Sequence, residues 1–212
     1  MSRMPSFIRQ HLAGLRVLLV FTVITGIVYP LVVMGIAQVA FHKQANGSQV
    51  SYNGKVAGSS LLCQEFTGAT GNPLPQYFQP RSSNAVNPDS KTGYGCDPGF
   101  SAASNLGANN ADLTKTIRQR RAEVAKFNGV SPASVPPDAV TASGSGLDPD
   151  ISPQYAYLQV NRVARARHAS PAAIRALVSH HITGRTIGFL GEPRVDVLTL
   201  NIALNQKFPA GR

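Results

Sequence analysis

The chain has 212 residues, of which 43% are apolar and only 14% charged, and it carries a net charge of +10 at pH 7. Charge that far below the roughly 25% usual for soluble domains fits a protein with part of its length in a membrane. The basic excess is spread thinly, with no cluster longer than Arg118–Arg121 and 7% aromatics, which excludes the concentrated, aromatic-interleaved basic surface of a nucleic-acid binder.

Val17 to Phe41 carries no ionisable side chain except Tyr29. At about 1.5 Å per residue a helix of that length crosses a hydrocarbon core of about 30 Å with some to spare for tilt. Pro30 removes one backbone hydrogen bond in mid-span, which bilayer helices tolerate where a neighbouring helix or a Thr hydroxyl satisfies the freed carbonyl. Gly26, Gly35 and Ala37 offer small surfaces for close packing against another membrane helix. A cleaved signal peptide has an apolar region of only about 7–15 residues ending in a small-x-small site, and Gln38-Val39-Ala40 does not supply one. The run is read as an anchor. Arg3, Arg9 and Arg16 precede it without an acidic residue, and only His42 and Lys43 follow closely. The positive-inside rule then makes residues 1–16 cytoplasmic, 17–41 the transmembrane helix and 42–212 extracytoplasmic. No second span follows, because the LTLNIAL run near the end is too short.

Residues 42–48 form a polar tether. Asn53-Gly54 between alternating segments marks a two-residue hairpin turn, and Leu61–Phe66 begins a third element. Thr67 to Asn110 is rich in Gly, Pro, Asn and Ser without periodicity, a loop whose length points to binding. Tyr77-Phe78 and Gly93-Tyr94 are its expected pins. Ala111–Phe127 is helical, with Leu113, Ile117, Arg121 and Val124 on one stripe and Asn128-Gly129 as the stop. A Pro-rich connector covers Val130–Ala139.

Residues 141–152, TASGSGLDPDIS, could cradle a phosphate, chelate a cation or turn the chain. A calcium loop needs more oxygen ligands than Asp148 and Asp150 supply, and Asp148-Pro149 is a turn initiator. Gly144 and Gly146 permit positive φ or close backbone approach, so Ser143, Gly144, Ser145, Gly146, Asp148 and Pro149 are read as a packing or interface loop. Ser152 caps a helix that begins at Pro153. Its buried face holds Leu158, Val160 and Val163, and Arg162, Arg165 and Arg167 form a solvated face. Ser170 and Pro171 repeat the pattern for a helix through Ile174, Leu177, Val178 and Ile182, stopped at Gly184. Thr186–Leu190 reads as a strand, and the final VDVLTLNIAL fits strand or helix, with Asp196 as an N-cap tipping the reading towards helix. The fold class is α+β: one N-terminal transmembrane helix and one small extracytoplasmic domain.

No phosphate loop and no nucleophile elbow occur, and no catalytic residue is assigned. Asp89-Ser90-Lys91-Thr92-Gly93 only echoes the phosphorylation sequence of P-type ATPases, since Ser90 separates the aspartate from Lys-Thr-Gly. His180 and His181 point about 100° apart on a helix and cannot chelate one ion well. Cys63 and Cys96 face an oxidising compartment, where they either bridge or remain two small hydrophobes; no metal-ligand spacing surrounds them.

The stretch VPPDAVTASGSGLDPDISPQYAYLQVNRVARAR resembles the signature of the KdpC family, the C subunit of bacterial potassium-transporting ATPases. GSSLLCQEF at 58–66, YFQPRSS at 77–83, SNLGANNADL at 104–113 and GEPRVDVLTLNIAL at 191–204 extend the likeness along nearly the whole chain. It implies a bacterial inner-membrane complex with a potassium-translocating channel-like subunit, a P-type ATPase subunit and a small membrane peptide. The C subunit would act there as a catalytic chaperone that raises the ATP affinity of the hydrolysing subunit. No cofactor is held tightly; ATP is at most shared with the partner. The family glutamine implicated in that effect falls on Gln64. The family glycine before it is Cys63 here, and the segment 91–103 also departs from the family pattern. Cys63 and Cys96 both lie at departures, which favours a lineage-specific disulfide. The alternative to a pump subunit is a membrane-anchored extracytoplasmic binding module for a small ligand or peptide. An anchored hydrolase comes third, for want of a nucleophile and base.

Overall fold

The computed structural model describes residues 5–87 and 95–210; Arg3, Gly93-Tyr94 and the whole 89–93 string lie outside them. The chain divides into two compact units, one up to Ser48 and the other from Gln49.

The first unit is an apolar helix from Ser6 to Ala40 with no buried side chain, long enough to cross a membrane. It is α1 (Ser6–Val23), a π-helical turn (Ile24–Val28) and α2 (Tyr29–Ala40). A proline ring clashes with the carbonyl four residues back, and the wide turn directly before Pro30 relieves that clash without breaking the rod. The Thr25 hydroxyl donates to the Phe21 carbonyl at 2.7 Å beside it. One further turn, α3 (His42–Ala45), occupies most of the polar tether.

The second unit opens on the antiparallel hairpin β1 (Gln49–Tyr52) and β2 (Lys55–Ser59). Asn53 and Gly54 both take positive φ, the conformation a tight two-residue turn needs. Leu61–Phe66 forms no strand or helix, contrary to expectation; it packs as irregular chain. Helix α4 (Ala111–Asn128) starts on the Asn110 cap and stops at Gly129, which adopts φ +67°. Two short 3-10 turns, Pro132–Ser134 and Pro137–Ala139, make the Pro-rich connector.

Strand β3 (Asp150–Ile151) pairs antiparallel with β4 (Val195–Asp196) and so ties the start of α5 (Pro153–Ala166) to that of α7 (Val197–Lys207). Ser152 accepts from Tyr155 N–H, Ser170 from Ala173 N–H and Asp196 from Thr199 N–H, so side chains cap α5, α6 (Pro171–His180) and α7. Helix α6 ends at His180, not at Gly184, and Thr186–Leu190 is a tight turn closed by one bridge rather than a strand. Apolar stripes of α5, α6 and α7, led by Val160, Val163, Ile174, Val178, Leu200 and Leu204, meet Phe78 and Val195 in one core.

The largest correction concerns the arginines of α5. Arg165 is exposed as expected, but Arg162 and Arg167 are buried, at 4% and 6% exposure. Their guanidinium groups serve the irregular segment 75–79, which crosses the core without a strand neighbour. Arg162 donates to the carbonyls of Pro75 and Tyr77, to Gln159 Oε1 and to Asn128 Oδ1; Arg167 donates to the carbonyls of Gln76 and Phe208. Gln159 and Asn201 each exchange a pair of hydrogen bonds with that backbone, at Gln79 and Phe78 respectively. Buried peptide groups must be paired, and here side-chain amides and guanidiniums replace the missing strand. Burial lowers the pKa of Arg162 to about 10, which still leaves it charged near neutrality.

Candidate functional site

The loop after Thr141 is the junction of the irregular half of the second unit. Gly146 adopts φ +72°, and a Cβ there would overlap the Ala102 carbonyl and stand 2.9 Å from Ala85. Its carbonyl accepts from Ser83 Oγ at 2.7 Å, and the same hydroxyl accepts from the N–H groups of Ala85 and Cys96. Ser145 O accepts from Ala102 N–H and Ser101 Oγ, both at 2.9 Å, while Leu147 O accepts from Cys63 N–H at 3.0 Å. Three stretches distant in sequence, at 63, 83 and 101–102, therefore converge on three loop carbonyls, and Ser83 brings in a fourth at Cys96. Gly144 behaves differently from expectation. It is exposed, its φ is ordinary and no atom lies within 4 Å of where a Cβ would be.

Asp148 pairs with Arg81 at 2.8 Å and accepts from Asp150 N–H, and Arg81 also donates to Thr141 O. Asp150 pairs instead with Arg194 at 3.1 Å. Burial raises the Asp150 carboxyl above its ordinary value; Arg194 opposes the rise, and Asp196 and Asp148 add to it. The two aspartates thus point to different guanidiniums. Among the described residues no three His, Cys, Asp or Glu side chains gather closely enough to hold a metal ion. His181 Nδ1 lies 2.9 Å from the Leu177 carbonyl, and His180 is exposed.

Cys63 and Cys96 are joined by a disulfide, with Cα atoms 5.4 Å apart. It fastens the stretch after the hairpin to the segment that Ser83 holds. Gln64, next in the chain, is half-buried, and its Oε1 would be 3.0 Å from a Cβ on Gly58, beside Leu198 of α7. Gln64 and Leu198 thus both lie over the same glycine of β2.

Glu65 faces elsewhere, into a cleft of about 300 Å3 that also holds Arg81, Glu123, Phe127 and Tyr155. Burial lifts its carboxyl above the ordinary range, partly offset by the N–H of Gly95. Burial likewise pushes the Tyr155 phenol up to about 12. The cleft offers an acid, a guanidinium and aromatic surface, but its described lining includes no Ser, Cys or His paired as nucleophile and base. Sequence reasoning quoted YFQPRSS and GSSLLCQEF without singling out Arg81, Ser83 or Glu65. For Arg81 and Glu65 the available signal was a lone charge inside an otherwise uncharged, unperiodic string.

Comparison with known proteins places this geometry in a lineage. The model of the family described as KdpC, K+-transporting ATPase, c chain, matches residues 11–206. The chain is similar to a potassium-transporting ATPase KdpC subunit of Streptomyces avermitilis, with 49% identity over 206 residues covering 92% of each chain. The corresponding protein of Kineococcus radiotolerans is 47% identical over 97% of this chain and 98% of its own. That of Mycobacterium tuberculosis is 47% identical over 93% and 98%.

Proposed function

Since this chain belongs to the KdpC family, the c chains of K+-transporting ATPases, we propose that it works there as a non-catalytic chaperone that raises the ATP affinity of the hydrolysing subunit and helps the complex assemble. The observation that carries this reading is the family match itself, which runs from residue 11, within the apolar helix, to residue 206 of the second unit. The partners are a channel-like potassium-translocating subunit, a P-type ATPase subunit and a small membrane peptide. Arg9 and Arg16 in the first turns of the helix, ahead of its uncharged run, against Lys43 after it, support an N-terminus in the cytoplasm and a second unit outside the inner membrane.

An outer unit cannot touch cytoplasmic ATP, so the effect on affinity passes through the membrane partners. Gln64 is then a positioning residue. Its side chain stands over Gly58 of β2, where Leu198 of α7 also packs, so it would steady the hairpin, which follows the membrane helix in the chain after one short turn.

The cleft at Glu65 favours a second reading, a free-standing module that binds a small ligand or peptide. Purification of the tagged full chain from native membranes separates the two. A pump subunit brings polytopic partners and potassium-stimulated ATP hydrolysis with it; a free-standing module comes out alone.

A further inference from the structure

Between Thr183 and Arg194 the chain leaves the second unit as a finger. Thr183 and Arg194 exchange both backbone hydrogen bonds at 2.8 and 3.0 Å, Thr186 and Leu190 do the same at 2.9 and 3.0 Å, and Arg185 pairs with Glu192 at 2.8 Å. The finger is thus built from its own bonds. Its tip exposes Ile187 at 78%, Phe189 at 69% and Leu190 at 49%. The other exposed large hydrophobics described in this unit, Val56, Leu61 and Leu106, stand singly. Ile187 also holds φ +55°, a region that disfavours β-branched side chains, although packing within the unit asks nothing of it. A polar or glycine residue would make the same turn at less cost.

We propose that this tip inserts into the interfacial layer of an anionic bilayer. The second unit is tethered to the helix that would span the membrane, because only residues 41–48 separate the end of α2 from Gln49, a span of under about 30 Å even when extended. Such tethering makes a weak contact effective, since the second encounter is intramolecular. The tip is also too small for a free-standing protein interface, which takes about 800 Å2 from each partner. Fluid lipid, by contrast, accepts a convex apolar tip without matching its shape. Charge permits it: the unit from Gln49 onward has sixteen Lys and Arg against ten Asp and Glu, and residues 186–191 carry no charged side chain whose desolvation would oppose insertion. Such an excess favours an anionic surface.

The inference rests on the membrane-anchor reading and not on pump membership. The chain has no Trp, so Phe189→Trp in the full chain gives a single tryptophan reporter. Reconstituted without partners into vesicles of phosphatidylcholine and phosphatidylglycerol, its emission should shift to the blue. Brominated acyl chains should quench it by about half or more, while Leu106→Trp should stay water-like. A chain that floats with the vesicles but emits at position 189 as in water overturns insertion and leaves the anchor standing. A chain that does not float overturns both. A blue shift that appears only in the purified complex, and not in vesicles, overturns the lipid assignment in favour of a protein partner.

Discussion

Segments 75–79 and 183–194 both lack regular structure, yet they solve opposite problems. The first runs from exposed Pro75 into the core at Phe78 and Gln79 and has no strand beside it, so Arg162, Arg167, Gln159 and Asn201 supply its hydrogen bonds from α5, its C-cap and α7. The second bonds to itself and leaves its apolar side chains in the open. Irregular backbone in a core is held by polar side chains that look solvated in the sequence; irregular backbone outside needs none, so apolar residues there answer to something beyond the fold.

The sharpest way to break this contrast is at Arg162. Arg162→Ala strands several buried acceptors and should cost about 3–5 kcal/mol in denaturant unfolding, whereas Arg165→Ala on the exposed face should change stability by no more than about 0.5 kcal/mol. Equal losses at the two sites would mean that the buried arginine does not hold the segment. Next comes the disulfide, which closes a loop with a sequence separation of 33 residues. Chain entropy predicts that paired Cys63→Ser and Cys96→Ser substitutions cost about 3–4 kcal/mol, read as a loss of stability equal to that caused by reductant on the wild type.

Gly146→Val combines a left-handed φ with overlap on Ala102 and Ala85 and should cost about 2–4 kcal/mol. Gly144→Val, facing open space, should stay within about 0.5 kcal/mol. At the finger, Phe189→Ser should likewise leave the melting temperature nearly unchanged, because the side chain is largely exposed and lies outside the core.

The smallest effect is a pH dependence. The raised carboxyl of Glu65 means that the fold prefers the protonated acid. Its contribution is full below the ordinary carboxylate pKa and is lost as pH rises through the raised value. Glu65→Gln should therefore melt slightly higher than wild type at neutral pH, with the gap closing towards about pH 4. A gap that widens on acidification would reverse the sign of the burial argument.

Much of the frame was legible because local chemistry writes it. Asn53-Gly54, the caps Ser152, Ser170 and Asp196, and the stop at Gly129 each act within a few residues, and each stands where the pattern placed it. What failed was set by distant neighbours. Arg162 and Arg167 lie at positions that read as a wet face, and only segment 75–79, some 85 residues earlier, makes them interior. Gly144 and Gly146 look alike in sequence, but Ala85 and Ala102 crowd only the second. Thr186–Leu190 has a strand's composition, yet Ile187 and Gly188 both turn to positive φ and no partner strand reaches it.

The most direct test of the account is the ATP dependence of potassium-stimulated hydrolysis, measured on the partner subunits with and without this chain. The chain alone should release no phosphate; adding it should lower the KM for ATP while kcat changes little. An unchanged KM, or phosphate release by the chain alone that a single substitution abolishes, would contradict the assignment of a non-catalytic subunit acting on ATP affinity.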